Sequence, residues 1–192
     1  MWRTTLLTAL VAAAISAAAA PPTQGATPAT ASTVAARSLD PVFDCYRMNS
    51  AWGFMLAGAM IDSGGTIYRY HIQGKPWAPT PKRIDGIDWF KAADLRTKFA
   101  SAKADGSVGA NALKENIALI AKAATGKVQD SDTGVRDAGT STCHAYIHDA
   151  AGQRYRDVEL GSDGGVADSR TGNDAPAAQT LLGWLRSVNV AR

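Results

Sequence analysis

The sequence predicts an α+β domain: an antiparallel sheet built from two β-hairpins, with two central helices and a C-terminal helix packed on it. Three observations predict it. The stretch from Ala51 to Ile72, AWGFMLAGAMIDSGGTIYRYHI, joins an apolar run to an alternating run in which Tyr68, Tyr70 and Ile72 share one parity. Between them, Asp62-Ser63-Gly64-Gly65 offers glycines able to take the positive φ of a tight hairpin turn. Thr142 to His148 and Gln153 to Leu160 flank Asp149-Ala150-Ala151-Gly152 in the same way and give a second hairpin. Apolar residues recur at helical spacing between and after these hairpins, which places helices against an antiparallel sheet.

Before the domain, residues 1–20 carry one basic residue, Arg3, and an alanine-rich apolar run from Leu6 to Ala20. Such a run is shorter than the roughly 20 residues that span a bilayer and reads as a secretory signal peptide. Cleavage is expected after Ala18 or Ala19. Residues 21–38, PPTQGATPATASTVAARS, contain Pro, Ala, Thr and Ser without apolar periodicity and read as a disordered linker. Residues 39–192 then form a single globular domain of roughly 150 residues, long enough to bury a core.

Taken in order, Leu39 to Asn49 reads as a short strand or extended lead-in to the first hairpin. Gly74 to Pro81, GKPWAPTP, has three prolines in eight residues and takes an extended course that carries Trp77. Asp88 is positioned to cap a helix with Trp89, Ala92, Leu95 and Phe99 on one face. Lys103 to Gly109 reads as a loop. A second helix spans Ala110 to Ala124, with Leu113, Ile117, Ile120, Ala121 and Ala124 on one face and Gly126 just past its end. Gly161 to Asn173 reads as a long Gly/Ser/Asp-rich loop. Asp174 then caps the last helix, whose Ala178, Leu181, Leu182, Leu185 and Val188 face the core.

These elements include a short set of residues with a likeness elsewhere. Ala51-Trp52-Gly53, Gly58, Ile61-Asp62, Gly65, Tyr70 and Pro76-Trp77 resemble the opening of a family of exported bacterial domains. Asp137-Ala138-Gly139, Tyr146, Tyr155 and Trp184-Leu185 are similar to that family's ending. The resemblance implies one exported domain over most of residues 45–190. The family has no established activity, so it implies no catalytic residue.

Charge excludes two classes of partner. Without Arg3, the 20 basic residues fall to 19 against 17 acidic, a charge of about +2. No lysine or arginine run interleaves with aromatics, so neither nucleic acid nor an anionic membrane surface is indicated as a partner. No stable membrane insertion is expected after signal cleavage, and the location is periplasmic or extracellular. In that oxidising setting Cys45 and Cys143 are expected to form a disulfide between the lead-in strand and the second hairpin. Their Cα atoms should then lie within roughly 4.4–6.8 Å. The alternative is two buried thiols behaving as small apolar residues.

Each arrangement that suggests catalysis has a structural explanation. Asp62-Ser63-Gly64-Gly65 matches a serine-protease nucleophile motif, but that family needs His and Asp upstream of the serine, and all three histidines lie downstream. His144 and His148 sit four residues apart; on a strand this is about 13 Å, too far to share a metal through bonds of about 2 Å. They are expected on a solvated strand face. Cys143 and His144 are adjacent and point to opposite faces of a strand, so no thiol–imidazole pair forms there. Asp163, Asp168 and Asp174 fit no calcium loop. No cofactor or metal is indicated.

Trp77 on its proline-rich segment, with Tyr68 and Tyr70, is the candidate binding surface, since aromatics on rigid segments make good contact points. The expected function is an exported non-enzymatic binding module for a protein, glycan or envelope component. The alternative is a small secreted hydrolase using carboxylates such as Asp62, Asp137 or Glu159, brought together by the fold.

Overall fold

The computed structural model describes residues 39–49, 53–75, 77, 79–129, 139–164 and 170–191. The predicted signal peptide and linker lie outside the described residues. Among the described residues nine strands form one antiparallel sheet: β1 (Pro41–Asn49), β2 (Met55–Asp62), β3 (Thr66–Gln73), β4 (Lys82–Ile84), β5 (Ile87–Lys91), β6 (Lys103–Ser107), β7 (Thr140–Asp149), β8 (Arg154–Gly164) and β9 (Arg170–Gly172). Their spatial order is β4-β5-β8-β7-β1-β2-β3-β6, with β9 also paired to β8. The α+β class is as expected, and the sheet is larger than two hairpins.

Both expected hairpins are present. Gly65 closes the β2–β3 turn at φ 83°, and its N–H donates to the Asp62 carbonyl at 2.9 Å. The lead-in is a full strand, β1, lying at the centre of the sheet between β2 and β7. Its centrality follows from its pattern: Val42, Phe43 and Cys45 are buried, and it pairs through Cys45 to Ala59 on one side and Cys143 on the other.

Three expectations are corrected. The helix expected from Asp88 starts later: residues 87–91 are β5, and α1 runs Ala92–Lys98 with Lys91 at its N-cap. Here Asp85 and Gly86 both hold positive φ (50° and 77°), the two-residue hairpin geometry that Asp-Gly favours, so β4 and β5 pair across them. The loop expected at 103–109 contains the edge strand β6, paired with β3. The loop expected at 161–173 is partly strand, since β8 continues to Gly164 and β9 pairs with it. By contrast α2 (Ala110–Ala123) and α3 (Pro176–Ser187) lie where helical spacing places them. The Asp174 carboxylate accepts the Lys127 N–H at 2.7 Å, and Ala175 is the N-cap of α3.

The sheet buries both faces. On one, Phe43, Ile61, Ala145, Val158 and Leu160 pack with Leu113, Ile120, Leu181 and Leu185 of α2 and α3. On the other, Leu56, Met60, Tyr68, Tyr70, Phe90, Tyr146 and Tyr155 pack with Leu95 of α1 and with Phe99. Fully burying each large apolar side chain contributes about 1.5–3 kcal/mol. Asn173, itself buried, joins the first layer's ends: its Nδ2 donates to the Ala123 and Glu159 carbonyls, while its Oδ1 accepts the Ala175 N–H.

Candidate functional site

The α1 face of the sheet holds a buried ionic cluster. Asp44 shares its parity on β1 with Tyr46, and α1 and Phe99 cover that face. Asp44 is 0 % exposed and Lys98 of α1 is 1 % exposed, with Nζ 2.6 Å from Asp44 Oδ2. Tyr70 donates its hydroxyl to Asp44 Oδ1 at 2.7 Å, and Tyr146 donates to Oδ2 at 3.4 Å. The Lys98 ammonium also lies over four rings, nearest to those of Tyr46 and Trp77 at 4.1 and 4.5 Å from their centroids, with Phe99 and Tyr70 at 5.5 and 5.9 Å. A buried charge is tolerated only when paired and hydrogen-bonded, and here both charges are. Gly58 makes the geometry possible. It stands between Tyr46 and Tyr70 in register, and a Cβ there would sit 2.8 Å from the Tyr70 hydroxyl and 2.6 Å from the Cys45 carbonyl oxygen.

A second buried couple adjoins it. His144 Nδ1 lies 2.8 Å from Asp157 Oδ1, and His144 Nε2 lies 3.3 Å from the Tyr46 hydroxyl. Burial disfavours the imidazolium, but the charge and hydrogen bond of Asp157 outweigh that, and the His144 pKa is raised. The protonated ring donates from Nδ1 to Asp157 and from Nε2 to the Tyr46 oxygen. Burial, then the charges of Asp44, Asp157 and Glu159, push the Tyr46 hydroxyl well above its ordinary value. Tyr46 therefore stays a neutral phenol at neutral pH and is not an activated nucleophile. The same two causes, burial and then Asp44, raise Tyr70 and Tyr146.

The α3 face contains a cleft. One cross-strand row there is built from small residues: Gly172, Gly161, Cys143, Cys45 and Ala59 are successive register partners, and the row ends at Arg69. The adjacent row, Val158, Ala145, Phe43, Ile61 and Ile67, includes the large side chains that pack the core. Where the large row stops, the sheet and α3 no longer meet, leaving a cleft of about 580 Å³. Gln179, Leu182 and Arg186 of α3 line one wall, at the spacing of one helix face. Arg47, Arg69 and Arg186 are among the lining residues, which include no carboxylate. Arg69 is anchored by Asp105 Oδ2 and the Asn189 carbonyl, each at 2.8 Å.

The Cys45–Cys143 disulfide forms the middle of this floor. Its Cα atoms are 4.1 Å apart, slightly closer than the expected range. The reason is position: the two residues are direct partners on adjacent antiparallel strands, where opposed Cα atoms approach to about 4.5 Å. Among the described residues no group of three His, Cys, Asp or Glu side chains is placed to hold a metal ion.

The structure distributes the sequence-predicted residues differently. Tyr68 and Tyr70 are 8 % and 4 % exposed and belong to the core, so they do not form a surface. Trp77 is half-buried and packs on Phe90, 5.4 Å between ring centroids, with its Nε1 buried and without a hydrogen-bond partner among the described residues. The strand face of His144 is not solvated: His144 and Tyr146 are buried beside α1's cluster, and His148 stays exposed, stacked on Tyr155. Of the suggested carboxylates, Asp62 accepts the Gly64 and Thr66 N–H groups at 3.0 and 2.8 Å, and Asp137 lies outside the described residues. Glu159 sits on β8, three strands from Asp62 on β2, about 14 Å at the usual strand spacing, so these two do not converge.

Sequence reasoning missed Asp44, Lys98 and Asp157 and the three cleft arginines. Asp44 carried a signal: it sits between Phe43 and Cys45 on a parity shared with Val42 and Tyr46, where a one-sided strand would put it in water. Together these features define an α+β domain with a closed ionic cluster on one face and an arginine-lined cleft on the other. No protein-family model, curated protein or solved structure matches the chain.

Proposed function

We propose that this is an exported, non-enzymatic binding module whose ligand occupies the cleft between the sheet and α3. The observation that carries this is the cleft itself: about 580 Å³, floored by a small-residue row and a disulfide and walled by one face of α3. That volume falls within the roughly 300–1,000 Å³ of small-ligand sites. A disulfide across adjacent central strands keeps the floor rigid, which lowers the ordering cost of binding. Export rests on the signal pattern of residues 1–20, and the likeness to exported bacterial domains belongs to the same reading. No helix among the described residues is long and apolar enough to cross a membrane.

Fragment mapping by protein-observed NMR tests the proposal. Perturbed amides should cluster at Ala57, Ala59, Ser141 and Leu182, and Ala57→Trp, which fills the mouth, should remove them. Perturbations confined to other surfaces would refute it.

One observation favours the hydrolase reading. Asp157 and Glu159, two residues apart on β8, line a second, polar cleft of about 730 Å³ with Arg83, Lys127 and Arg156. Asp157 is engaged by His144, which leaves Glu159 as the proton-donor candidate. Hydrolysis of chromogenic esters or glycosides that is lost in Glu159→Gln, with stability unchanged, would establish it.

A further inference from the structure

We infer that the α3 cleft selects an oxyanion carried on an apolar body, a carboxylate or a phosphate monoester. This rests on the cleft being the ligand seat. Arg47, Arg69 and Arg186 line it, and among the described residues no aspartate or glutamate does, Asp105 pairing with Arg69 from outside the lining. Arg69 is held in place by Asp105 and the Asn189 carbonyl, so its guanidinium is pre-positioned along one edge of the floor. Arg186, exposed on α3, has no ion-pair partner among the described residues. It projects from the same helix face as Leu182 and Gln179, one to two turns further along. A guanidinium presents paired N–H donors that match carboxylate and phosphate oxygens, whereas an ammonium acts only as a point charge.

Leu182, Val190, Ala191, Ala57, Ala59 and the disulfide give the rest of the lining an apolar stretch, beside the polar Ser141, Thr142 and Gln179. A ligand that fills this cleft therefore places its charged end among the arginines and an apolar body over the alanine and cysteine floor. A purely inorganic anion would leave the floor in water, and a neutral apolar molecule would leave the Arg186 guanidinium unmatched.

Titration calorimetry on the protein purified from an exporting host distinguishes these cases, using octanoate, octyl phosphate, inorganic phosphate and 1-octanol as probes. One or both octyl anions should bind, with added salt weakening them, and 1-octanol and inorganic phosphate should bind about tenfold more weakly or not at all. The stronger of the two octyl anions identifies the head group. Arg186→Gln, at an exposed position, should weaken the octyl anions about tenfold without altering thermal stability. Equal binding of 1-octanol, or octyl anions indifferent to Arg186→Gln, would overturn the anion selectivity while leaving the cleft a ligand site. Absence of binding by both octyl anions would also overturn it, and the fragment mapping above reports separately whether the cleft takes any ligand.

Discussion

Lys98 Nζ reaches Asp44 Oδ2 at 2.6 Å across 54 positions of the chain, and neither side chain is accessible to water. The pair joins α1 to the central strand of the sheet. Tyr70 and Tyr146 hydrogen-bond the carboxylate, and Tyr46 and Trp77 lie against the ammonium. Replacing Lys98 by Met leaves a buried aspartate without its counter-charge and should cost about 3–5 kcal/mol. The double variant Asp44→Asn with Lys98→Met should recover much of that loss. Urea denaturation of the two single variants and the double variant measures the coupling. Additive losses would show that the two groups do not interact.

The His144–Asp157 couple makes stability depend on pH in a defined direction. Its folded pKa lies above the ordinary value of 6.5, so the imidazolium is better held in the folded state. That contribution is fully present below about pH 6.5 and is lost as pH rises through the raised folded value. Wild-type stability should therefore fall with rising pH through this window by more than that of His144→Gln. Denaturant midpoints measured across the window for both proteins decide it. Parallel curves would mean that the couple carries no linked proton.

Two neighbouring glycines should respond differently to substitution. Gly65 holds φ 83°, and a Cβ there would lie 3.2 Å from the Val108 carbonyl oxygen. Gly65→Val should cost about 1 kcal/mol or more, because β-branched residues fit left-handed backbone poorly. Gly64 is not among the positive-φ glycines, and a Cβ there meets only Asp62 side-chain atoms, at 3.4 Å and beyond, so Gly64→Val should cost clearly less. Equal losses would place the turn's strained residue elsewhere.

The disulfide spans 98 positions, for which the chain-entropy estimate is about 4.7 kcal/mol, an upper figure because denatured chains retain structure. The Cys45→Ala, Cys143→Ala double variant should lose a substantial part of this in chemical denaturation. Thiol titration of the unfolded, unreduced protein should find no free thiol. Two reactive thiols per chain would refute the bond.

Gly58→Ala tests the room left for the Asp44–Tyr70 contact. The new methyl would meet the Cys45 carbonyl oxygen, Tyr46 Cβ and the Tyr70 hydroxyl at 2.6–2.8 Å, on the central strands where backbone cannot easily yield. A loss of about 1–3 kcal/mol in thermal or chemical denaturation is expected. An unaffected protein would show that the strands adjust freely.

Local pattern alone determined a good deal of this protein. Alternation and Gly65 set the first hairpin, helical spacing set α2 and α3, and the oxidising compartment expected from the signal pattern, with the strand parity of Cys143, indicated the disulfide. Where two local signals competed, sequence reading chose wrongly. Asp85-Gly86 is a hairpin dipeptide, yet Asp88 with Trp89, Ala92 and Leu95 also fits a capped helix, and only pairing of β5 with β8 decides between them. Which strand faces are dry was decided by tertiary structure, because burial depends on what packs above a residue. The chain marks Asp44, His144 and Asp157 as polar, and Lys98 of α1 covers Asp44 while Tyr46 stacks on His144, contacts made from residues dozens of positions away. The cleft has the same origin. Gly161, Cys143, Cys45 and Ala59 are scattered over a hundred positions, and strand register alone aligns them into the small-residue row that floors the cleft beneath α3.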